Sequence, residues 1–331
     1  MFTWQESAWK AWTRLRERMH HAVLIQSGEG FGEFEFAQTV AQSLLCEKPR
    51  PGGYACGSCQ ACHWFLQGNH PDFRLIVPES MAPERREEDA QPAKKEKRSE
   101  QIRIEQVREL AGFLSVGTHR AGLRVLLIYP AETMNANTQN ALLKSLEEPP
   151  PDTVFLLVAT QSERLLATVR SRCMKFSLPI PEPGEVVRWL KEQGVGHPEA
   201  TLAGVGGAPL AALKAADTEA DRRRFIEGLN SPGFDPIVHA ETVLRVPLWD
   251  VVVWLQRWSH DLLLVRAGGR ARYHVDHEKL IAENFRNCEP RDIAAYLRRL
   301  AEARGLARHP LNAKLFVEDL LLQYQRLIAR P

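Results

Sequence analysis

The sequence predicts an α/β domain built on a parallel sheet, followed by a part that is entirely helical. Three observations carry this. Short apolar runs at His21–Gln26, Phe73–Val77, Arg124–Tyr129 and Val154–Thr160 read as strands. Helical patterns separate them, and strands joined by helices of that length lie parallel with helices on both faces. From residue 222 to 331 every periodic stretch is helical, for example Val251–Leu264 and Leu315–Ile328. At 331 residues the chain is long for one core, so two or three domains are expected.

Residues 4–19 set Trp4, Trp9, Trp12 and Leu15 among charges at helical spacing, an amphipathic first helix whose tryptophans anchor packing. After the first strand comes a glycine turn, then a helix over Phe34–Leu45, ended by Cys46. Residues 79–101 mix charge, proline and alanine without apolar periodicity, the pattern of a solvated surface insertion. Its run Lys94 to Arg98 could touch phosphate or simply stay hydrated. Ile104, Val107, Leu110, Ala111 and Leu114 share one helix face. Asn137–Glu148 is a further helix, stopped by Pro149-Pro150-Pro151. "LPIPEPGE" reads as a hinge and Gly184–Ala215 as a small helical unit. The expected segments are 1–178, carrying a cysteine module at 46–62, then 179–220, then 221–331.

Composition excludes some classes. Hydrophobic residues make up 44% and charged residues 25%, and 43 basic against 41 acidic residues give +2. That balance argues against a surface built wholly for nucleic acid. No apolar run approaches the roughly 18 residues of a membrane span, and the N-terminus mixes charge and tryptophan too early for a signal peptide. A cytoplasmic protein is expected. In that setting the clustering of Cys46, Cys56, Cys59 and Cys62 favours metal over disulfide.

The glycine turn, Ser27-Gly28-Glu29-Gly30-Phe31-Gly32-Glu33-Phe34, resembles a phosphate loop with its key residue inverted. Such a loop needs Lys for the β and γ phosphates and Ser or Thr for Mg²⁺. Glu33 and Phe34 stand in those places. A carboxylate close to a phosphate is repulsive by about 4 kcal/mol per charge pair near a surface. The acidic residues that should end the second strand are also missing: Tyr129-Pro130-Ala131-Glu132 follows Ile128. Nucleotide rejection is expected. The alternative, a glycine turn unrelated to phosphate loops, is countered by that second loss.

The cysteines are spaced C-x9-C-x2-C-x2-C, which lets four thiolates reach one tetrahedral Zn²⁺ in a closed, structural shell. His63 and His70 are nearby substitutes, His70 more plausibly a turn residue, and merely buried thiols are the alternative. Arg170 and Arg172 in "ATVRSRCMKF" read, by composition, as surface arginines in ion pairs.

Together HAVLIQ with its degenerate loop, the four cysteines, GNHPD, IRIEQVREL, NALLKSLEEPP and ERLLATVRSRC resemble the delta-prime branch of the bacterial clamp-loader family, AAA+ proteins of the DNA polymerase III holoenzyme. The similarity covers most of residues 1–178. In GGAPLAAL, residues 206–213, Leu210 occupies the place of a nucleotide-sensing Arg in active relatives, and "LNAKLFVEDLLLQY" resembles the last helix of the family's oligomerising collar. The resemblance implies an AAA+ domain, a small helical lid and an all-α collar. It also implies a non-polymerising, ATPase-inactive member of a five-subunit ring with ATP-binding gamma/tau-type and delta-type subunits. That ring loads a sliding clamp on primer-template DNA. Ser171-Arg172-Cys173 matches the family motif that presents an arginine finger to a neighbour's ATP, with Arg172 as the finger. An active AAA+ ATPase and a zinc-knuckle nucleic-acid-binding protein remain the other readings. The insertion at 79–101 is longer than the family's usual connection.

Overall fold

The computed structural model describes residues 1–82, 98–115, 117, 118 and 122–328. The run from Lys94 to Lys97 lies outside them. The chain divides into two units, Met1–Glu182 and Pro183–Pro331.

In the first unit a short 3-10 turn, Thr3–Gln5, leads into α1 (Glu6–Arg16), where one continuous helix was expected. Strand β1 (Ala22–Gln26) is followed by α2 (Glu33–Leu45), α3 (Gln60–Leu66) and β2 (Phe73–Ile76). At the base of the insertion, Glu79 accepts the Ser99 amide at 3.2 Å and pairs with Arg103 at 3.1 Å. The face expected to be one helix is two, α4 (Ile104–Arg108) and α5 (Leu110–Ser115). Then come β3 (Arg124–Ile128), α6 (Ala136–Glu147), β4 (Thr153–Ala159), α7 (Ala167–Arg170) and β5 (Met174–Ser177). Helix α6 starts where Asn135 accepts the Thr138 amide at 2.9 Å, an Asx N-cap.

All five strands are parallel, in the order β2-β3-β4-β1-β5. Leu24 of β1 stands opposite Leu157 on one side and Lys175 on the other. Because successive side chains alternate, each central strand feeds two cores. Val23, Ile25, Val125 and Leu127 face Trp9, Trp12 and Phe36. Leu24, Leu126 and Ile128 face Leu142, Leu146 and Val169 on the other side. Burial on both faces explains why these strands read as unbroken apolar runs. Strand β5 pairs only with β1 and exposes Lys175 and Ser177 around buried Phe176, so its sequence carries no such run.

The second unit contains α8 (Pro183–Glu192), α9 (Pro198–Gly204), α10 (Pro209–Ala215), α11 (Glu219–Leu229), α12 (Pro236–Glu241), α13 (Leu248–Arg266), α14 (Glu278–Asn284), α15 (Pro290–Leu306) and α16 (Ala313–Ile328). No strand occurs in it among the described residues. Val186, Leu190, Leu202 and Ala212 form one small core, while Trp254, Trp258, Leu262, Leu300 and Tyr324 belong to a second, larger one. Trp258 donates its indole N–H to the Tyr324 hydroxyl at 2.9 Å, giving two buried polar groups one shared partner. No helix among the described residues is long and apolar enough to cross a membrane.

Candidate functional site

The loop between β1 and α2 has the shape of a phosphate cradle. Gly30 and Gly32 take φ of 82° and 86°, where a side chain is strained, and Gly32 caps α2. The cradle is filled from within. Glu33, the first residue of α2, is buried, and its Oε2 accepts the Phe31 amide at 3.2 Å. A backbone N–H of the kind a phosphate loop offers to its ligand is thus taken by the chain's own carboxylate. The second oxygen, Oε1, accepts the Tyr129 hydroxyl at 3.1 Å. Burial raises the pKa of Glu33, and burial together with the Glu33 charge raises that of Tyr129.

Apolar groups close the rest. Phe34 stacks on Tyr129 with ring centroids 4.7 Å apart. The Phe31 ring folds over Gly28, where a Cβ would lie 2.5 Å from it. From the N-terminus, Gln5 Nε2 donates to the Gly32 carbonyl at 2.7 Å and Trp4 Nε1 to the Phe31 carbonyl at 3.1 Å. A Cβ on Gly32 would meet Gln5 and Phe2 at 2.7 and 2.8 Å, so only glycine admits this plug. Directly after β3 come Tyr129 and Pro130, neither of them a carboxylate. Glu132 turns to the end of β4, where its Oε1 accepts the Thr160 amide at 3.0 Å, the Thr160 hydroxyl at 2.6 Å and the Gln161 amide at 3.1 Å.

The fold gathers the four cysteines. The Sγ atoms of Cys46, Cys56, Cys59 and Cys62 all lie within 4.8 Å of one another, with Cys46–Cys59 and Cys56–Cys62 at 3.9 Å. Four sulfurs about 2.3 Å from one zinc would stand roughly 3.8 Å apart, so the set suits a closed tetrahedral shell. Backbone amides of Cys56, Cys59 and Cys62 point at the sulfurs of Cys46, Cys56 and Cys59 at 3.2, 3.2 and 3.4 Å, which favours thiolates. His63 is exposed on α3 and outside the cluster, and His70 is a buried turn residue whose Nδ1 accepts the Asp72 amide at 3.1 Å. The module is fastened to α1 by Trp9, which donates to the Gly52 carbonyl at 2.9 Å and stacks on Tyr54 at 4.4 Å.

Arg172 lies between α7 and β5. Its guanidinium pairs with Glu147, the last residue of α6, at 2.5 Å and donates to the Thr168 carbonyl at 2.9 Å. The ion pair foreseen from composition is present, with both partners partly open to solvent. Ser171 donates to the Thr168 carbonyl at 3.1 Å, and burial pushes the Cys173 thiol up to about 11. In the second unit Leu210 sits in the first turn of α10 and offers no cation. Phe2, Gln5, Glu132 and Glu147 had no local sequence signal, because each acts on a residue distant in the chain.

A strand, a glycine loop and a helix at the centre of a β2-β3-β4-β1-β5 parallel sheet define an AAA+-like domain, here with its phosphate loop occupied by its own side chains. Residues 4–182 match the family described as DNA polymerase III, delta subunit. DNA polymerase III subunit delta′ of Pseudomonas aeruginosa is 32% identical, over 99% of this chain and 98% of that one. The Escherichia coli K12 protein of the same name is 29% identical, over 94% and 90%. The chain belongs to the DNA polymerase III subunit delta′ family. A solved gamma subunit-related protein from Thermotoga maritima aligns over 97% of this chain and 99% of that one, at TM-score 0.45 and 17% identity.

Proposed function

We propose that this chain is an ATPase-inactive member of the DNA polymerase III clamp loader that helps to load the sliding clamp on primed DNA. The observation that carries the reading is Glu33: its carboxylate takes a loop amide at 3.2 Å, so a nucleotide would meet both a filled donor and a like charge. With Phe34 and Tyr129 in place of Mg²⁺ ligands, neither metal nor attacking water has a holder. Residues 179–220 would serve as the lid and 221–331 as the collar that joins gamma/tau-type and delta-type subunits in the ring. The working compartment is the cytoplasm.

Chemistry then belongs to a neighbour's site. Arg172, at the domain edge with Ser171 and Cys173 beside it, would offer its guanidinium to ATP held by the adjacent subunit. An arginine finger supplied in trans can be worth about 10³–10⁵ in rate. Its ion pair with Glu147 is partly exposed, and such pairs contribute about 0–1 kcal/mol. Exchanging that carboxylate for phosphate oxygens therefore costs little. The four cysteines would hold one structural Zn²⁺, which stiffens the excursion between α2 and α3.

Isothermal titration of the purified chain with Mg-ATP is expected to show no binding, and tight binding would overturn the inactive-site reading. In the reassembled complex, Arg172→Ala should depress DNA-stimulated ATP hydrolysis while the complex stays intact; an unchanged rate removes the finger.

A further inference from the structure

Two helices of the first unit run between the glycine loop and the cysteine module, and each touches both. Helix α2 begins at Glu33, in the loop, and its last residue, Leu45, is followed directly by Cys46. Helix α1 begins immediately after Gln5, whose Nε2 donates to the Gly32 carbonyl at 2.7 Å and to the Phe31 carbonyl at 3.3 Å. One turn further on, about 6 Å along the axis, Trp9 is held by the module through the Gly52 carbonyl and the Tyr54 ring. The module also lies close to the next turn, where a Cβ on Gly53 would stand 3.2 Å from the Thr13 methyl. Trp9 meets Phe36 of α2 edge-on, with ring centroids 6.2 Å apart. Loop, α2, module and α1 thus close a frame.

The part of the module that grips α1 is the chain between Cys46 and Cys56. Its turn is tied by the Arg50 amide to the Tyr54 carbonyl at 2.8 Å and by the Gly53 amide to the Arg50 carbonyl at 3.0 Å. The Arg50 guanidinium donates to the Cys56 carbonyl at 2.6 Å. Holding Cys46 and Cys56 in one metal shell closes this stretch into a loop, and a closed loop has less freedom to drift from Trp9. The body of α1 does not need that grip, since Trp12 is fully buried and meets Phe176 of β5 edge-on at 5.8 Å. What the module steadies is the first turn, where Trp9 follows Trp4 and Gln5. We propose that metal occupancy of the four cysteines sets how firmly Gln5 and Trp4 sit on the glycine loop. The proposal rests on the zinc reading above and extends it, from stiffening of a local excursion to conformational control of a distant loop. Such a coupling is reciprocal, so a loosened loop also weakens metal binding.

The test is hydrogen exchange of the full chain, zinc-loaded and zinc-stripped, after metal analysis has counted the zinc. The reporters are the Phe31 amide, accepted by Glu33, and the Phe36 amide, bonded to the Gly32 carbonyl at 2.9 Å. Stripping should speed exchange over residues 28–36 about tenfold, the scale of one or two lost hydrogen bonds, and leave β3 and β4 unchanged; returned zinc should restore protection. Tyr54→Ala removes the stack on Trp9 without touching a cysteine. With one zinc bound it should already exchange at the faster rate, and stripping should add little. Gln5→Ala breaks the contact at the loop end and should weaken zinc binding by up to about tenfold in competition with a chromogenic chelator. Exchange over 28–36 that ignores stripping, an acceleration equal in β3 and β4, wild-type exchange in zinc-loaded Tyr54→Ala, or unchanged zinc affinity in Gln5→Ala would each overturn the proposal while the zinc reading stands. A chain that binds no zinc removes both.

Discussion

The Tyr129 hydroxyl donates to the Glu33 carboxylate at 3.1 Å, joining the end of β3 to the first residue of α2 across 96 positions of sequence. Each of the two side chains thus satisfies the other. Glu33→Lys alone should therefore yield no ATP turnover, because Phe34 still stacks on Tyr129 beside the loop and neither side chain is a ligand for Mg²⁺. It should also destabilise the first unit, since a buried cation would face a hydroxyl and a backbone amide in place of an anion. Measurable hydrolysis by the purified variant would contradict the occupied-loop reading.

The same carboxylate makes a pH prediction. Burial raises its pKa above that of an ordinary glutamate, so the folded protein holds the proton to higher pH than the unfolded chain. The resulting cost is absent below the unfolded value and complete above the raised folded one. Glu33→Gln, neutral throughout, should gain stability relative to wild type as pH rises above the ordinary glutamate range. Urea melts below and above that range check the sign, and a difference that is flat or reversed refutes it.

For the cysteines, metal analysis should return one zinc per chain. Cys59→Ser should leave well under one and lower the melting temperature of the first unit, because a missing thiolate opens the shell. A chelator should reproduce the shift in wild type and produce little further change in the variant. Wild-type chain that is metal-free and equally stable would remove the zinc assignment.

Breaking the Arg172–Glu147 pair should cost almost nothing. Both side chains are partly exposed, so Glu147→Ala is expected to change unfolding free energy by less than about 1 kcal/mol. A loss of several kcal/mol would mean that the pair is structural and that Arg172 is not free to leave it.

In the second unit, fully buried Asp261 accepts the amides of Arg272, Tyr273 and His274 at 2.9, 2.9 and 2.7 Å, and His274 Nδ1 lies 3.0 Å away. Burial alone would raise the Asp261 pKa, but the donors, led by His274, outweigh it and lower it; burial is the leading cause lowering that of His274. A neutral His274 thus donates to an ionised Asp261. Both groups bind fewer protons folded than unfolded, so stability is lost as pH falls, for His274 starting near 6.5. His274→Gln should flatten the decline as pH falls below the ordinary histidine range. Asp261→Ala should cost about 2–4 kcal/mol by orphaning its donors.

Much of the fold is legible because the central strands are buried on both faces and thus written as continuous apolar runs. Strand β5 escapes, being short, at the edge and half exposed. The face from Ile104 to Leu114 keeps helical spacing although the backbone divides it at Glu109, since periodicity records which side is buried and not whether the helix is unbroken. At the site, the inverted loop residues and the cysteine knuckle are local patterns, visible in spacing alone.

By itself the sequence determined the first four strands in chain order, the Glu33 and Phe34 that follow the glycines of the loop, and the spacing of the four cysteines. Only the tertiary structure decided what replaced the missing ligand. The N-terminal Gln5 reaches Gly32, Tyr129 reaches Glu33, and Glu147 reaches Arg172 because the parallel sheet brings its loops to meet. Such pairings are set by which elements pack together, and no local period or spacing encodes that.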